Sequence, residues 1–373
     1  MAVDGLIQHE QDVAVRLLRH YRKHARTLPW RSPPGAPQGD DPSWPYRVWL
    51  SEIMLQQTTV AAVIPYFETF TKRWPTVEAL ANADEAELMA AWAGLGYYAR
   101  ARNLLACART IARDHGGRFP GTEEGLRALA GVGAYTAAAI AAIAFGKRAV
   151  VVDGNVERVV SRLFGIEAPL PGAKPILRDL ADGITPDKHP GDFAQAMMDL
   201  GATICTPRNP ACGICPLMDD CAARRQGDPT RFPVKAAKKA RPERGGTAWW
   251  IEAESQVWLV RRPDKGLLGG MRALPTGEWR EGQSDGTPPL SGRWQAMGTV
   301  RHVFTHFALN LAVEALVLPV KPDAALLASI LGEGQYWPVD QIEQAGLPTL
   351  FARAAMLVVA SGTGVPMETG NAA

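Results

Sequence analysis

Four of the five cysteines fall in one short stretch, Cys205-x6-Cys212-x2-Cys215-x5-Cys221, so their thiols converge once the chain folds. Three chemistries suit such a set. A disulfide knot is a poor fit, because the start Met1-Ala-Val-Asp-Gly-Leu-Ile-Gln shows no basic region followed by an apolar run, and disulfides seldom persist in a reducing cytosol. Zinc accepts four thiolates, but its sites usually offer two matched hooks of closely spaced cysteines, and only Cys212 and Cys215 make one. An iron–sulfur cubane takes one thiolate per iron from a winding loop and tolerates unequal spacers. The spacing favours the cubane and leaves zinc as the second choice.

Two carboxylates are candidates for acid–base work. Glu52 has Val48 four residues before it and Leu55 three after, so a helix there would set an acid on a largely apolar face. Removal from water raises a carboxyl pKa and keeps the proton on, as a general acid requires. Taken alone, Glu52 is read more economically as the end of a stripe that reaches solvent or an arginine. Asp153 follows the apolar run Ala149-Val-Val-Val152 and opens Gly154-Asn155-Val156, which makes it a helix N-cap; facing a cleft, it would be a second carboxylate.

Two glycine turns come next. Gly131-Val-Gly133 permits a tight hairpin whose following helix offers free amides to a phosphate. Gly94-Leu-Gly96-Tyr97-Tyr98 carries aromatics that can stack on or wedge between bases, although tyrosines at a helix entry more often pack.

The elements that must position these groups are helical through the first two thirds of the chain. Apolar spacing predicts helices over 6–24, from about Tyr46, over 76–81, over 84–93 with Asp84 as cap, over 99–115, from Thr122, from the hairpin through Ile140, from Asp153 to Phe164, over 174–184 and over 192–204. Cys107, on an apolar stretch, reads as a small core residue. Strands are expected at 247–254, 256–262 and 308–318, then helices at 323–331, 340–345 and 348–359.

With 373 residues, 47% of them hydrophobic, the chain can bury two cores. The Ala-rich run from Ala134 to Phe145 is too short to span a bilayer, so cytoplasm is the default address and no membrane partner is expected. Net charge is only +2. Locally, Arg224, Arg225, Arg231, Lys235, Lys238, Lys239, Arg241 and Arg244 face only Asp228 and Glu243; with Pro229, Pro233 and Pro242 interrupting it, this basic run reads as a linker that can also meet phosphate.

Taken together, the cysteine loop, the Gly-Val-Gly hairpin and Val152-Asp-Gly-Asn-Val-Glu-Arg158 resemble the helix–hairpin–helix DNA glycosylase superfamily, and within it the adenine DNA glycosylases, the MutY family. Glu52-Ile-Met-Leu-Gln-Gln57-Thr and Gly94-Leu-Gly-Tyr-Tyr-Ala-Arg-Ala-Arg-Asn103 match that family's patterns in the same order, and the likeness reaches Arg301-His-Val-Phe304-Thr305-His306-Phe307. The chain departs from it at Ala130, where proline is usual, and at Thr305, where serine is common.

The resemblance implies a mainly α catalytic half with the helix–hairpin–helix glycosylase fold and a 4Fe-4S loop, followed by a smaller α+β Nudix-like domain. Boundaries on this reading are 1–228 for the glycosylase domain, 229–243 for the basic linker, 244–362 for the Nudix-like domain and 363–373 for a flexible tail. It also implies a monomer acting on double-stranded DNA that carries adenine opposite 8-oxoguanine or guanine. Glu52 would protonate adenine, Asp153 would stabilise the sugar cation, and Tyr135 and Asn155 would orient them. Trp30 and Arg31 would line the base pocket, Gln57 and Tyr97 would fill the gap left by the base, and Gly131, Gly133 and Arg208 would hold the backbone. Phe304, Thr305 and His306 would read 8-oxoguanine, on a scaffold that lacks the acid cluster a working Nudix enzyme needs after Gly270. Endonuclease III places a lysine where this chain has Tyr135, so strand cleavage through a Schiff base is not expected. The rivals are an endonuclease III-like glycosylase for oxidised pyrimidines and a non-catalytic DNA-binding protein on the same frame.

Overall fold

The computed structural model describes residues 2–361 apart from 37–40, 42, 238–240, 264–265, 283–285 and 305, with side chains from Asp12 onward. Thr305 and the expected tail therefore lie outside the described residues. The chain divides into two compact units, Met1–Ala237 and Lys238–Ala373.

The first unit is helical: α1 (Ala2–His24), α2 (Trp44–Leu55), α3 (Val60–Arg73), α4 (Val77–Ala81), α5 (Glu85–Trp92), α6 (Ala99–Asp114), α7 (Glu123–Arg127), α8 (Ala134–Phe145), α9 (Gly154–Phe164), α10 (Lys174–Ile184), α11 (Pro190–Asp199) and α12 (Ala222–Arg225). Short polar residues start several of them. Thr59, Thr76, Asp84, Thr122 and Asp153 each accept a hydrogen bond from a first-turn amide that the helix itself leaves unpaired.

Two cores form from these helices. The larger spans α2 to α8, around Trp49, Phe67, Phe70, Trp92, Leu104, Ile111 and Ile140. In the other, α1 lies against α10 and α11, and its Val13, Leu17 and Tyr21 share a cluster with Val156 and Val160 of α9, Leu177 of α10 and Phe193 of α11. Glu52 belongs to α2 and Asp153 caps α9, so each core contributes one carboxylate.

The helix expected over 192–204 starts earlier, at Pro190, and changes character. After Asp199 it widens into a π turn, Leu200–Ile204, and the Cys205 amide donates to the Leu200 carbonyl at 2.7 Å. A Cβ on Gly201 in that turn would lie 2.6 Å from the Cβ of Asn155, so the lack of a side chain lets the turn sit against the start of α9. In the hairpin before α8, Gly131 takes φ +75° and its missing Cβ leaves room for Asn103, while Gly133 caps α8.

Much of the expected linker belongs to the first unit. Phe232 is buried, Leu170 pairs with Lys235, and the Leu170 amide donates to the Val234 carbonyl. Arg231 pairs with Glu167 at 2.7 Å, and Arg224 and Arg225 donate to the carbonyls of Met218 and Asp219. Burial of one aromatic and pairing of the arginines hold 229–237 on the helices, and β1 already begins at Glu243.

The second unit is a mixed sheet of β1 (Glu243–Ala253), β2 (Gln256–Arg261), β3 (Arg272–Ala273), β4 (Arg280–Glu281), β5 (Gln295–Val303), β6 (Ala308–Leu318) and β7 (Gly334–Pro338), with α13 (Ala324–Leu331) and α14 (Thr349–Ser361). The strand order is β3-β2-β1-β6-β5, with β4 on β1 and β7 on β2. Strands β1 and β6 run parallel from Glu243↔Ala308 to Ala253↔Leu318, and the other pairs are antiparallel. The helix expected over 340–345 is a 3-10 turn, and strand β5, absent from the sequence reading, lies along β6.

Candidate active site

A cavity of about 480 Å³ holds the first set of expected residues: Trp30, Arg31, Glu52, Gln57, Tyr135, Asp153 and Asn155 all line it. That size suits a small organic group in a largely preformed site.

Glu52 is 7% exposed. Its carboxyl is pushed up to about 7, chiefly by burial; a hydrogen bond from the Tyr135 hydroxyl pulls it back, the nearby Asp153 adds to the rise, and Arg31 opposes it. Burial decides the sign. Tyr135 itself rises well above the usual phenol value, through burial first and the two carboxylates next, so it stays protonated and donates.

Asp153 is tied by both oxygens. One accepts the Val156 amide at 2.7 Å, which is the expected helix cap, and the other accepts Asn155 Nδ2 at 3.1 Å. Asn155 Oδ1 in turn accepts from Arg158 at 2.9 Å, and Arg158 donates to the carbonyls of Gly201 (2.6 Å) and Cys205 (2.8 Å). The sequence reading gave Arg158 no role, although its spacing of three from Asn155 places both on one helix face.

The cavity has more polar wall than expected. Arg31 donates to Asp199 at 2.7 Å, and Arg26 does so at 2.6 Å through Nε. Gln195, 5% exposed, lines the cavity one turn before Asp199. Asp192, Gln195 and Asp199 form a buried polar stripe on α11 at intervals of three and four. That periodicity was present in the sequence as the one polar line on an otherwise apolar helix.

Gln57 (φ +58°), which lines the cavity, and Tyr97 (φ +50°), which does not, are both exposed and hold left-handed backbone. That conformation costs a non-glycine residue on the order of 1–3 kcal/mol, which the surrounding contacts must offset. Arg100 supplies such contacts, as argued below. Trp30 is mostly buried, with its ring 5.2 Å from Phe67, so it walls the cavity from the core side.

The four cysteines line one pocket with Arg162, Ile204 and Met218. Their chemistry fits an iron–sulfur group. Cys215 is pushed up to about 11, by burial first, with the other three cysteines adding to the rise, and backbone amides of Leu217 and of Ala223 and Arg224 reach the sulfurs of Cys215 and Cys221. Arg162, 2% exposed, donates to Cys205 Sγ at 3.3 Å and to the carbonyls of Thr206, Pro207 and Phe232. Half-buried thiols whose thiolates would repel one another, with amide and guanidinium donors beside them, are a set that bound iron would stabilise. Arg208 stands exposed between the first two cysteines.

In the second unit, Phe304 stacks on Trp279 at 5.7 Å and meets His302 at 4.6 Å, and its amide closes the turn onto the Phe307 carbonyl. His306 is exposed.

The cavity therefore sets a buried acid of raised pKa near a capped carboxylate. Residues 50–186 match the HhH-GPD superfamily base excision DNA repair protein, 205–221 the iron-sulfur binding domain of endonuclease III, and 247–356 the NUDIX domain. The first unit is similar to the solved structure of a thermostable thymine-DNA glycosylase, at 28% identity and a TM-score of 0.52, covering 61% of this chain and all of that one. The fold is that of a DNA glycosylase of base excision repair, with an iron–sulfur loop. The adenine DNA glycosylase of Mycobacterium tuberculosis is 44% identical over 216 residues, 57% of this chain and 68% of that one. The Homo sapiens adenine DNA glycosylase is 36% identical over 363 residues, 81% of this chain, and the matched part spans 66% of the human protein's length. The chain belongs to the adenine DNA glycosylase family.

The raised Glu52 pKa links to stability. The folded protein keeps a proton that the unfolded chain releases above its ordinary value of 4.5, so the contribution is full below that pH and is lost as pH rises through about 7. Glu52→Gln removes this liability. The variant is expected to gain stability over the parent at pH 8 relative to pH 4 by about 2–4 kcal/mol, at about 1.4 kcal/mol per unit. Denaturant melts at the two pH values check it; an identical difference at both would mean that Glu52 titrates normally.

Proposed function

We propose that the enzyme hydrolyses the N-glycosidic bond of adenine mispaired with 8-oxoguanine or guanine in duplex DNA, and leaves the backbone intact. The observation that carries this reading is the buried Glu52 carboxyl, held near pH 7, with Asp153 beside it.

An adenine inside a duplex is out of reach, so the nucleotide turns out of the stack into the cavity. Glu52 passes its proton to N7. The C1′–N9 bond then breaks with its electron pair going to N9, and neutral adenine leaves. Positive charge develops on the sugar opposite Asp153, whose orientation is fixed by the Val156 amide and Asn155. Water adds at C1′, and its proton restores Glu52. Tyr135 has no amine with which to attack the sugar, which supports a monofunctional enzyme.

Gln57 and Tyr97 fill the space the base leaves, and the amides at Gly131 and Gly133 with Arg208 hold phosphates. In the second unit, Phe304, Thr305 and His306 read the 8-oxoguanine partner. We further infer that the cysteine loop holds a 4Fe-4S cluster that shapes this DNA-facing surface without entering the reaction, and that the enzyme acts as a monomer on the nucleoid.

Single-turnover assays on duplexes with adenine opposite 8-oxoguanine, guanine and thymine test the reading. Release from the first two only is expected, with strands intact until alkali is added and no borohydride-trapped adduct. Failure to release adenine from either, or excision of oxidised pyrimidines instead, would sink it. For the cluster, anaerobically purified protein should contain iron and acid-labile sulfide in equal amounts and absorb in the visible; stoichiometric zinc without iron would reject it.

A further inference from the structure

Among the described residues of the first unit, only Gln57, Tyr97 and His189 hold positive φ without being glycine. Two of these three are the residues proposed to fill the gap, and they stand on different segments: Gln57 just after α2 and Tyr97 in the glycine turn before α6. One side chain touches both segments. Arg100, half-buried on the first turn of α6, donates through Nη1 to the carbonyls of Ile53 (3.0 Å) and Met54 (2.9 Å) at the end of α2. Its Nη2 reaches Thr58 Oγ1 (3.0 Å), beyond Gln57, and the carbonyls of Leu95 (3.2 Å) and Gly96 (3.4 Å), before Tyr97.

The same guanidinium lies 5.6 Å from the Tyr97 ring centroid and 5.4 Å from that of Trp92. Thr58 passes the contact on by donating to the Gln56 carbonyl, and Trp92 Nε1 donates to the Gly96 carbonyl. Of these four carbonyls, that of Ile53 also accepts the Gln56 amide and that of Gly96 the Trp92 indole, and a planar fork with several fixed donors can serve all four at once.

We propose that Arg100 is the positioning residue for base extrusion: it locks the Gln57 and Tyr97 segments in one register, so that both side chains enter the duplex together. It touches neither base nor sugar and acts through those two residues. The proposal rests on the reading of Gln57 and Tyr97 as gap-fillers. It differs from a phosphate contact in needing the fork and not merely the charge.

The test is a double-mutant cycle in the full-length protein, read by single-turnover adenine release from an adenine–8-oxoguanine duplex. A second readout is the fluorescence of 2-aminopurine at the target position, taken in the Glu52→Gln background. Arg100→Met and Tyr97→Ser should each slow release by roughly tenfold or more and suppress the fluorescence rise on binding, while the double variant should be no slower than the slower single. Arg100→Lys should recover little of the loss. Thr58→Val, which removes one recipient and leaves α6 untouched, should show a smaller defect of the same kind, and it decides the matter should Arg100→Met fail to fold.

Multiplying losses in the double variant, or full recovery with Arg100→Lys, would overturn the positioning role. If Tyr97→Ser and Gln57→Ala both release adenine and raise fluorescence like the parent, the gap-filling reading itself fails, a result separable from the first two.

Discussion

The cost of taking one carboxyl out of water organises the first unit. Glu52 sits on α2 among Val48, Ile53 and Leu55 with almost no exposure, and burial outweighs both the Tyr135 hydrogen bond and the Arg31 charge in setting its pKa. Asp153 meets the opposite conditions, with a helix amide and a side-chain amide on its oxygens. Two carboxyls thus meet separate environments in a single cavity, one buried and the other held by amides. The fold meets this need by drawing one from each of two cores, so neither helix has to carry both charges.

Holding Asp153 in place requires a frame that reaches far along the chain. Its partner Asn155 is fixed by Arg158, which is fixed by carbonyls of the π turn and of Cys205. Gly201 lets that turn come close, and buried Arg162 ties the far side of the cysteine loop to Phe232. The cysteine loop is thus joined to the proposed reaction centre by a short run of hydrogen bonds, and none of its residues is among those that line the cavity. Metal binding and orientation of the carboxylate share one piece of backbone.

What the sequence made legible were features that local geometry decides. Asp153 read as a cap and the glycines at 131 and 133 marked the hairpin, whereas Glu52, read alone as the end of a stripe reaching solvent or an arginine, is in fact buried because other helices close over its apolar face. Most helices with apolar stripes emerged within a few residues of their observed ends; α3, with Pro65 inside it, was not named. Features that depend on distant partners were not legible. Strand β5 has the buried pattern of a weak strand, with Val300 its only fully covered residue, and it exists because β6 offers a ladder. Residues 229–237 look like solvated linker until Phe232 finds a hydrophobic site and Arg231 finds Glu167. Arg162 was given no role from the sequence, because the carbonyls that surround it lie in irregular backbone more than forty residues away.

The central claim is that Glu52 carries a proton near neutral pH. Difference infrared spectroscopy of the carboxyl region, comparing the parent with Glu52→Gln across pH, observes that proton directly. The account predicts a protonated carboxyl band at pH 6 that disappears with a midpoint near 7 and is absent from the variant. A Glu52 signal already ionised at pH 6, with a midpoint near the ordinary 4.5, would contradict it.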